Sequence, residues 1–375
     1  MGKRGPKPTL TERDQRVLLD LYYTRCMTGE QLQISAFGSI SRYAKTRIKT
    51  LKDRGLIHSK SYTPTLHDQT KSFPFKAGSL IYELTDAGVR EAERLIGETI
   101  ISQDHRPSER IKVPVTSVSR YLQTAEVFMK NKEKVRWIPY FSLRQRIGVN
   151  DFTIPCLAGV EKDQKIALVF GVVANPSLKA FSFIANNMKG LPSIVIKLLL
   201  MCPSNQTVDM AIDYYLGKYL EGDLHVMTYE QAQEDLPFLF GEGYIDVLRQ
   251  RLETFHGHPL LILPATGRFP SDFKNMVEHR PGRFAYLVDL STGNLNALYT
   301  LIRHDEQAER RDAQFNGSMR GIWVLLRDHD QFQSIKPYLS DHRHVRVTFR
   351  KAYGWIGCEN GTWTHLRPMT EVLTK

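Results

Sequence analysis

The sequence predicts a mixed α+β and α/β protein built in three parts. Three observations predict it. The first hundred residues hold capped amphipathic helices followed by runs of period two. The middle orders its segments helix, three strands, helix, strand. The last third alternates helical and strand-like runs. At 375 residues and 42% hydrophobic composition, the chain can build two or three separate cores.

The first part spans about 9–97. A helix is expected from Thr11, with Asp14 three residues on as a box-like cap and Val17, Leu18 and Leu21 inward. Thr28 with Gln31 is a second capping box, and the short helix after it turns Leu32 inward. A third helix runs from near Ser39 to Gly55, a C-cap. On a wheel of about 100° per residue, Ile40, Ala44, Ile48 and Leu51 share one face. Arg42, Lys45, Lys49 and Lys52 fall on a neighbouring arc with Thr46 beside them. Asp53 is the one acid between residues 39 and 60. Leu56–Lys60 and Leu80–Leu84 then read as strands. The loop between them carries Lys71 and Lys76. Thr85 caps a last helix with Leu95 and Ile96 inside. Two helices, a basic helix and a hairpin with a basic loop make a winged helix-turn-helix.

Charge placement agrees. The formal net charge is +11, and residues 1–60 carry 13 of the 51 Lys and Arg but only 5 of the 40 Asp and Glu. An excess concentrated in one module suits a polyanionic partner. The groups on the arc of the third helix are those that contact phosphates and base edges.

The series Arg47…Leu51…Gly55-Leu56-Ile57…Tyr82-Glu83-Leu84-Thr85…Gly88 resembles the winged-helix pattern of bacterial regulators. With Leu10-Thr11-Glu12-Arg13-Asp14 it is similar, more narrowly, to the replication-relaxation family of plasmid and mobile-element proteins. The resemblance covers about 10–97 and is weak beyond. It implies a double-stranded-DNA partner, and a nuclease-like region following the winged helix.

Residues 98–115 show no periodicity and read as a linker. From 116 to 238, a helix with Val118, Tyr121, Leu122, Ala125, Phe128 and Met129 on one side precedes strands at Val135–Phe141, Phe152–Val160 and Ile166–Ala174. Glu161–Gln164 is a turn. Asn175 caps a helix that ends near Gly190, Ser193–Cys202 is a buried strand, and Val208–Leu220 is a further helix. This order is that of a restriction-endonuclease-like core. Such a site needs an acid on its second strand and an acid and a lysine on its third, holding a divalent metal and a water. Asp151 is the weak candidate for the first acid. The third strand, IALVFGVVA, has no acid and no base, so the expectation is an inactive core.

Residues 240–375 read as an α/β domain with a mostly parallel sheet. A helix is expected near Tyr244–Phe255, strands at Leu260–Leu263, Phe284–Leu290, Ile322–Leu326 and Val345–Phe349, and a hairpin turned at Asn360-Gly361. His342 and His344 are weak metal candidates on one strand face, and Tyr353 is a speculative nucleophile beside them. His256-Gly257-His258 reads as a helix-end turn and Asp289–Gly293 as a strand-end loop. There is no phosphate-binding GxxxxGK[ST].

Four scattered cysteines with no CxxC pair argue against a disulfide framework or a cysteine zinc site. MGKRGPKP is basic with no apolar run after it, so no signal peptide is expected, and no run approaches membrane-spanning length. The expectation is therefore a cytoplasmic, non-enzymatic protein without cofactors or membrane contact. It would bind double-stranded DNA through Arg42, Lys45, Thr46, Lys49, Lys52, Lys71, Lys76 and the tail Lys3, Arg4 and Lys7, as a homodimer, with replication or transfer proteins as further partners. The rival expectation is a metal-dependent nuclease or relaxase-like nickase.

Overall fold

The computed structural model describes residues 9–64, 75–147, 156–174, 176–187, 191, 193–216, 218, 223–240, 243–265, 273–304, 321–339, 345–352, 354–359 and 362–366. It is a mixed α+β molecule, with three sheets among the described residues. The chain divides into two compact units, Met1–Val208 with Met227–Glu234, and Asp209–Val226 with Asp235–Lys375. This division falls inside the expected middle segment, at neither 97 nor 238.

The first unit opens with α1 (Glu12–Thr24), capped by Thr11 and Asp14 in a reciprocal box. A two-residue strand β1 (Met27–Thr28) leads into α2 (Gly29–Phe37), whose cap is the reciprocal pair Thr28 and Gln31. The third helix, α3 (Arg42–Asp53), starts at the cap Ser41, two residues later than Ser39. Ile40 therefore lies outside the helix and is 52% exposed, not buried as the wheel predicts. Strands β2 (Ile57–Ser61) and β3 (Leu80–Leu84) pair antiparallel, and β1 adds to β3, giving the order β1-β3-β2. Thr85 caps α4 (Asp86–Ile96). A Cβ on Gly88 would lie 2.0 Å from the Leu56 carbonyl oxygen. Glycine is what lets α4 begin against the exit of α3.

Val17, Leu18, Leu21, Leu32, Ile48, Leu51, Ile57, Leu84 and Val89 form the core of these elements, and Ile101, Ile111 and Ala125 extend it. Residues 98–115 are thus not a loose linker. Glu93 accepts hydrogen bonds from the backbone N–H of Ile100, Ile101 and Ser102 at 2.9, 2.8 and 2.9 Å. Asp86 accepts from the Ser108 N–H at 2.8 Å. A short helix α5 (Pro107–Ile111) follows. The segment lacks periodicity because distant carboxylates, not an amphipathic stripe, hold it.

Helix α6 (Val118–Asn131) then packs against α1 and α2. Strand β4 (Arg136–Pro139) is shorter than expected: Pro139 has no N–H to extend a ladder, and the chain turns into α7 (Tyr140–Ile147). Strands β5 (Ala158–Lys162) and β6 (Lys165–Gly171) form a hairpin. Its two turn residues, Asp163 and Gln164, have φ of 51° and 64°, as a tight right-twisted hairpin requires. The expected cap Asn175 lies outside the described residues. Helix α8 (Leu178–Asn187) precedes β7 (Val195–Cys202), which runs parallel to β6. Helix α9 (Asn205–Tyr215) and β8 (Asp223–Thr228) carry the chain across the division between units, and α10 (Tyr229–Asp235) follows.

The second unit contains α11 (Gly243–His256), β9 (Leu261–Pro264), β10 (Asn275–Arg280), β11 (Arg283–Asp289), α12 (Leu295–Ile302), β12 (Gly321–Leu326), α13 (His329–Leu339), β13 (Val345–Phe349), β14 (Trp355–Glu359) and β15 (Thr362–Leu366). Its sheet runs in the order β15-β14-β13-β12-β11-β10-β9. Only β11–β12 and β12–β13 are parallel; the flanking pairs are antiparallel. The expectation of a mostly parallel sheet is corrected, and connection length is the reason. Parallel neighbours need a crossover long enough for a helix, whereas β10 passes to β11 through two residues. Strands β14 and β15 pair antiparallel up to Glu359 and Thr362, and the expected turn at Asn360-Gly361 falls on residues outside those described.

Candidate nucleic-acid interface

Helix α3 stands on a seam of Ala44, Ile48 and Leu51, each at most 3% exposed. Ser41 Oγ accepts from the Ala44 N–H at 3.1 Å and fixes where the helix begins. With that seam inward, Arg42, Lys45, Thr46, Lys49 and Lys52 are all exposed. Among the described residues no carboxylate pairs with Arg42, Lys45 or Lys49. Lys52 donates to Ser59 Oγ of β2 at 2.8 Å, which sets it at the root of the β2–β3 hairpin. Lys76 is exposed on the return arm of that hairpin. Lys71, Lys3, Arg4 and Lys7 lie outside the described residues.

One basic residue of α3 is not available to a partner. Arg47 reaches back to α1, where its guanidinium binds the buried Asp14 through Nε at 3.1 Å and through Nη2. Burial alone would raise the Asp14 carboxyl; Arg47 and Thr11 overcome it and hold the group below the usual carboxylate range. This ion pair fixes α3 relative to α1. Beneath the hairpin, Glu83 is clamped by Lys60 at 2.7 Å and faces His58 at 3.2 Å. Burial opposes its ionisation, and these two partners more than compensate.

The same frame is tied to α6. Lys132 donates to Asp20 at 3.0 Å and to Ser35 Oγ at 2.8 Å. The Gln31 amide donates to the Leu122 carbonyl at 2.9 Å and to Glu126 at 2.6 Å. Arg25 binds the Ile111 carbonyl at 2.8 Å and the Tyr121 hydroxyl. The cationic face is therefore carried by a packed unit larger than residues 9–97.

Three features escape wheel arithmetic. Tyr43 is 51% exposed on the same helix; its ring meets the edge of Phe37 at 6.0 Å and lies under the Arg13 guanidinium at 5.9 Å. Ile40 is exposed beside the helix start. Arg13 adds a cation from α1.

The alternative sites fare differently. Asp151, His342, His344 and Tyr353 lie outside the described residues. Ile166–Phe170 of β6 are all 0% exposed, so the strand is wrapped in apolar contacts on both faces. Among the described residues no three His, Cys, Asp or Glu are grouped to hold a metal ion. All four cysteines are unpaired and buried, and burial pushes the thiols of Cys26, Cys156 and Cys202 up. Asp289 accepts from the Ser291 N–H at 2.8 Å, a local turn at the end of β11. His256 ends α11 and stacks on Trp323 at 5.2 Å with the rings 10° apart. Among the described residues no helix is long and apolar enough to cross a membrane.

No family model, curated protein or solved structure matches the chain.

Proposed function

We propose that this is a non-enzymatic protein that binds double-stranded DNA through a winged helix-turn-helix formed by residues 9–97. Helix α3 enters the major groove, with Arg42, Lys45, Thr46 and Lys49 toward bases and phosphates. Lys52 and Lys76, with Lys71 and the tail Lys3, Arg4 and Lys7, contact the backbone. The observation that carries the reading is the face of α3: three exposed cations with no acid partner among the described residues, on a helix whose opposite face is buried. The order of helix, short strand, two helices and hairpin is that of winged helices, and it supports the same reading. The likeness of the motif series to the replication-relaxation family supports a role in replication, maintenance, transfer or transcriptional control of a mobile element.

The middle sheet is read as a restriction-endonuclease-like scaffold without catalysis. A metal-dependent cut needs carboxylates and a lysine on adjoining strands. The stretch Ile166–Phe170 offers neither, which favours binding over the nuclease alternative.

The test is titration of a labelled duplex taken from DNA flanking the gene, at several salt concentrations. Log affinity should fall steeply and linearly with log salt, and Lys49→Ala should reduce the slope by about one. Salt-independent binding, or binding unchanged when Lys45 and Lys49 are both alanine, would sink the proposal.

A further inference from the structure

The outward half of α3 is not uniform. Around the helix, Lys52, Lys45, Lys49 and Arg42 occupy one flank, the exposed Asp53 of the last turn follows, and Thr46, Thr50 and Tyr43 occupy the next. Arg47, further round, is committed to Asp14. Thr46 Oγ1 donates to the Arg42 carbonyl at 2.9 Å, and Thr50 Oγ1 donates to the Thr46 carbonyl at 3.0 Å. Both hydroxyl protons are turned back onto the helix, leaving the methyl groups as the apolar part of this flank. Tyr43 is fixed between Phe37 and Arg13, half exposed, before any partner arrives. The surface thus has cations on one side, Arg13 on the other, and methyl groups and an aromatic ring between them.

A face built only for phosphates needs no ordered, exposed ring and no methyl stripe. A major groove does present that pattern. Phosphates flank it, and each thymine places an apolar 5-methyl group in it, the one base-edge feature that apolar side chains read. Resting on the DNA-binding reading above, we infer that Tyr43, Thr46 and Thr50 are specificity-determining residues that recognise thymine methyl groups, while the lysine flank and Arg13 engage the two bordering backbones.

The experiment uses the full chain. Duplexes are selected from a random-sequence pool with the wild-type protein. Each dT of the selected site is then replaced in turn by dU, which deletes only the methyl group. At one or more positions the replacement should weaken wild-type binding about fourfold, the worth of one buried methyl. Thr46→Ser and Thr50→Ser keep the hydroxyl and remove the methyl; Tyr43→Ala removes the ring. At least one of these variants should bind the dT and dU duplexes equally while still weakening with salt. If the wild type selects a defined site yet every dU replacement is neutral, or if all three variants still discriminate, the inference is overturned and DNA binding stands. If no duplex is bound at any salt concentration, the DNA-binding reading falls and takes this inference with it. A change in self-association of Tyr43→Ala in that case would mark the patch as a protein contact.

Discussion

Asp14 shows how one residue can serve both fold and face. It caps α1 through Thr11 and neutralises Arg47 of α3, with its own side chain fully buried. Removing one partner of a buried pair leaves an uncompensated charge, which costs about 3 kcal/mol. Arg47→Ala should therefore lower the unfolding free energy read from a urea titration by about that much, and move its midpoint down accordingly, although Arg47 touches no proposed partner. The carboxyl is held low in the folded state, so its contribution is present above the unfolded value of about 4 and is lost as pH falls below it. Arg47→Ala should flatten that acid limb; an unchanged midpoint would mean the pair contributes nothing. Such a partner was not legible in the sequence, because Asp14 and Arg47 are 33 residues apart and Arg47 reads as one more cation on a basic helix. The exposed cations were legible, because helix periodicity alone decides which side chains oppose Ala44, Ile48 and Leu51.

At the scale of elements, legibility followed locality. Capping boxes at Thr11 and Thr28 use neighbours three residues apart, and both formed as expected. Strand β10 was missed because only Met276 and Val277 are buried in it, which leaves no alternation to detect. That strand brings His279 to within 5.1 Å of Trp323, on whose ring His256 from the end of α11 also stacks. Burial, then neighbouring imidazoles and arginines, push His256 down to about 4; burial, then Arg346, Arg280 and Arg283, do the same to His279. Both folded values lie below the unfolded value of about 6.5, so the unfolded chain binds more protons between these limits. Stability of this sheet should be complete above pH 6.5 and decline toward pH 4. Amide exchange of peptides from β10 and β12, corrected for intrinsic rates, should accelerate across that window. His256→Phe keeps a ring against Trp323 and removes two buried nitrogens that have no hydrogen-bond partner among the described residues. It should weaken the pH dependence and protect the sheet at neutral pH. Equal pH dependence in variant and wild type would refute the assignment.

At the scale of the molecule, the first unit does not end where its sequence pattern changes. The winged-helix pattern stops near residue 97, yet Arg25, Gln31, Asp20 and Glu93 find their partners between residues 98 and 132. A fragment ending at residue 97 would lose these hydrogen bonds and expose the apolar surface that Ile101, Ile111 and Ala125 cover. Small domains have little stability to lose. Such a fragment should show a broad, low-temperature melt by circular dichroism where the full chain unfolds cooperatively. A sharp native-like transition would show that these contacts are dispensable. Variants that test the proposed DNA binding therefore belong in the full chain, where residues 98–132 support α3 through α1 and α2.

Strand β6 carries a consequence of another kind. Ile166–Phe170 are all fully buried, and none of the five carries a polar side chain. In an unfolded or half-made chain the same five side chains form an uncharged, proline-free stretch of high β-propensity, with Lys165 as the nearest charge on its leading side. Such a segment pairs with copies of itself whenever it is exposed for long. Heating this protein past its transition would then commit chains to aggregates faster than they refold. Its persistence in a cell would be governed by how seldom the first unit opens, a rate and not an equilibrium.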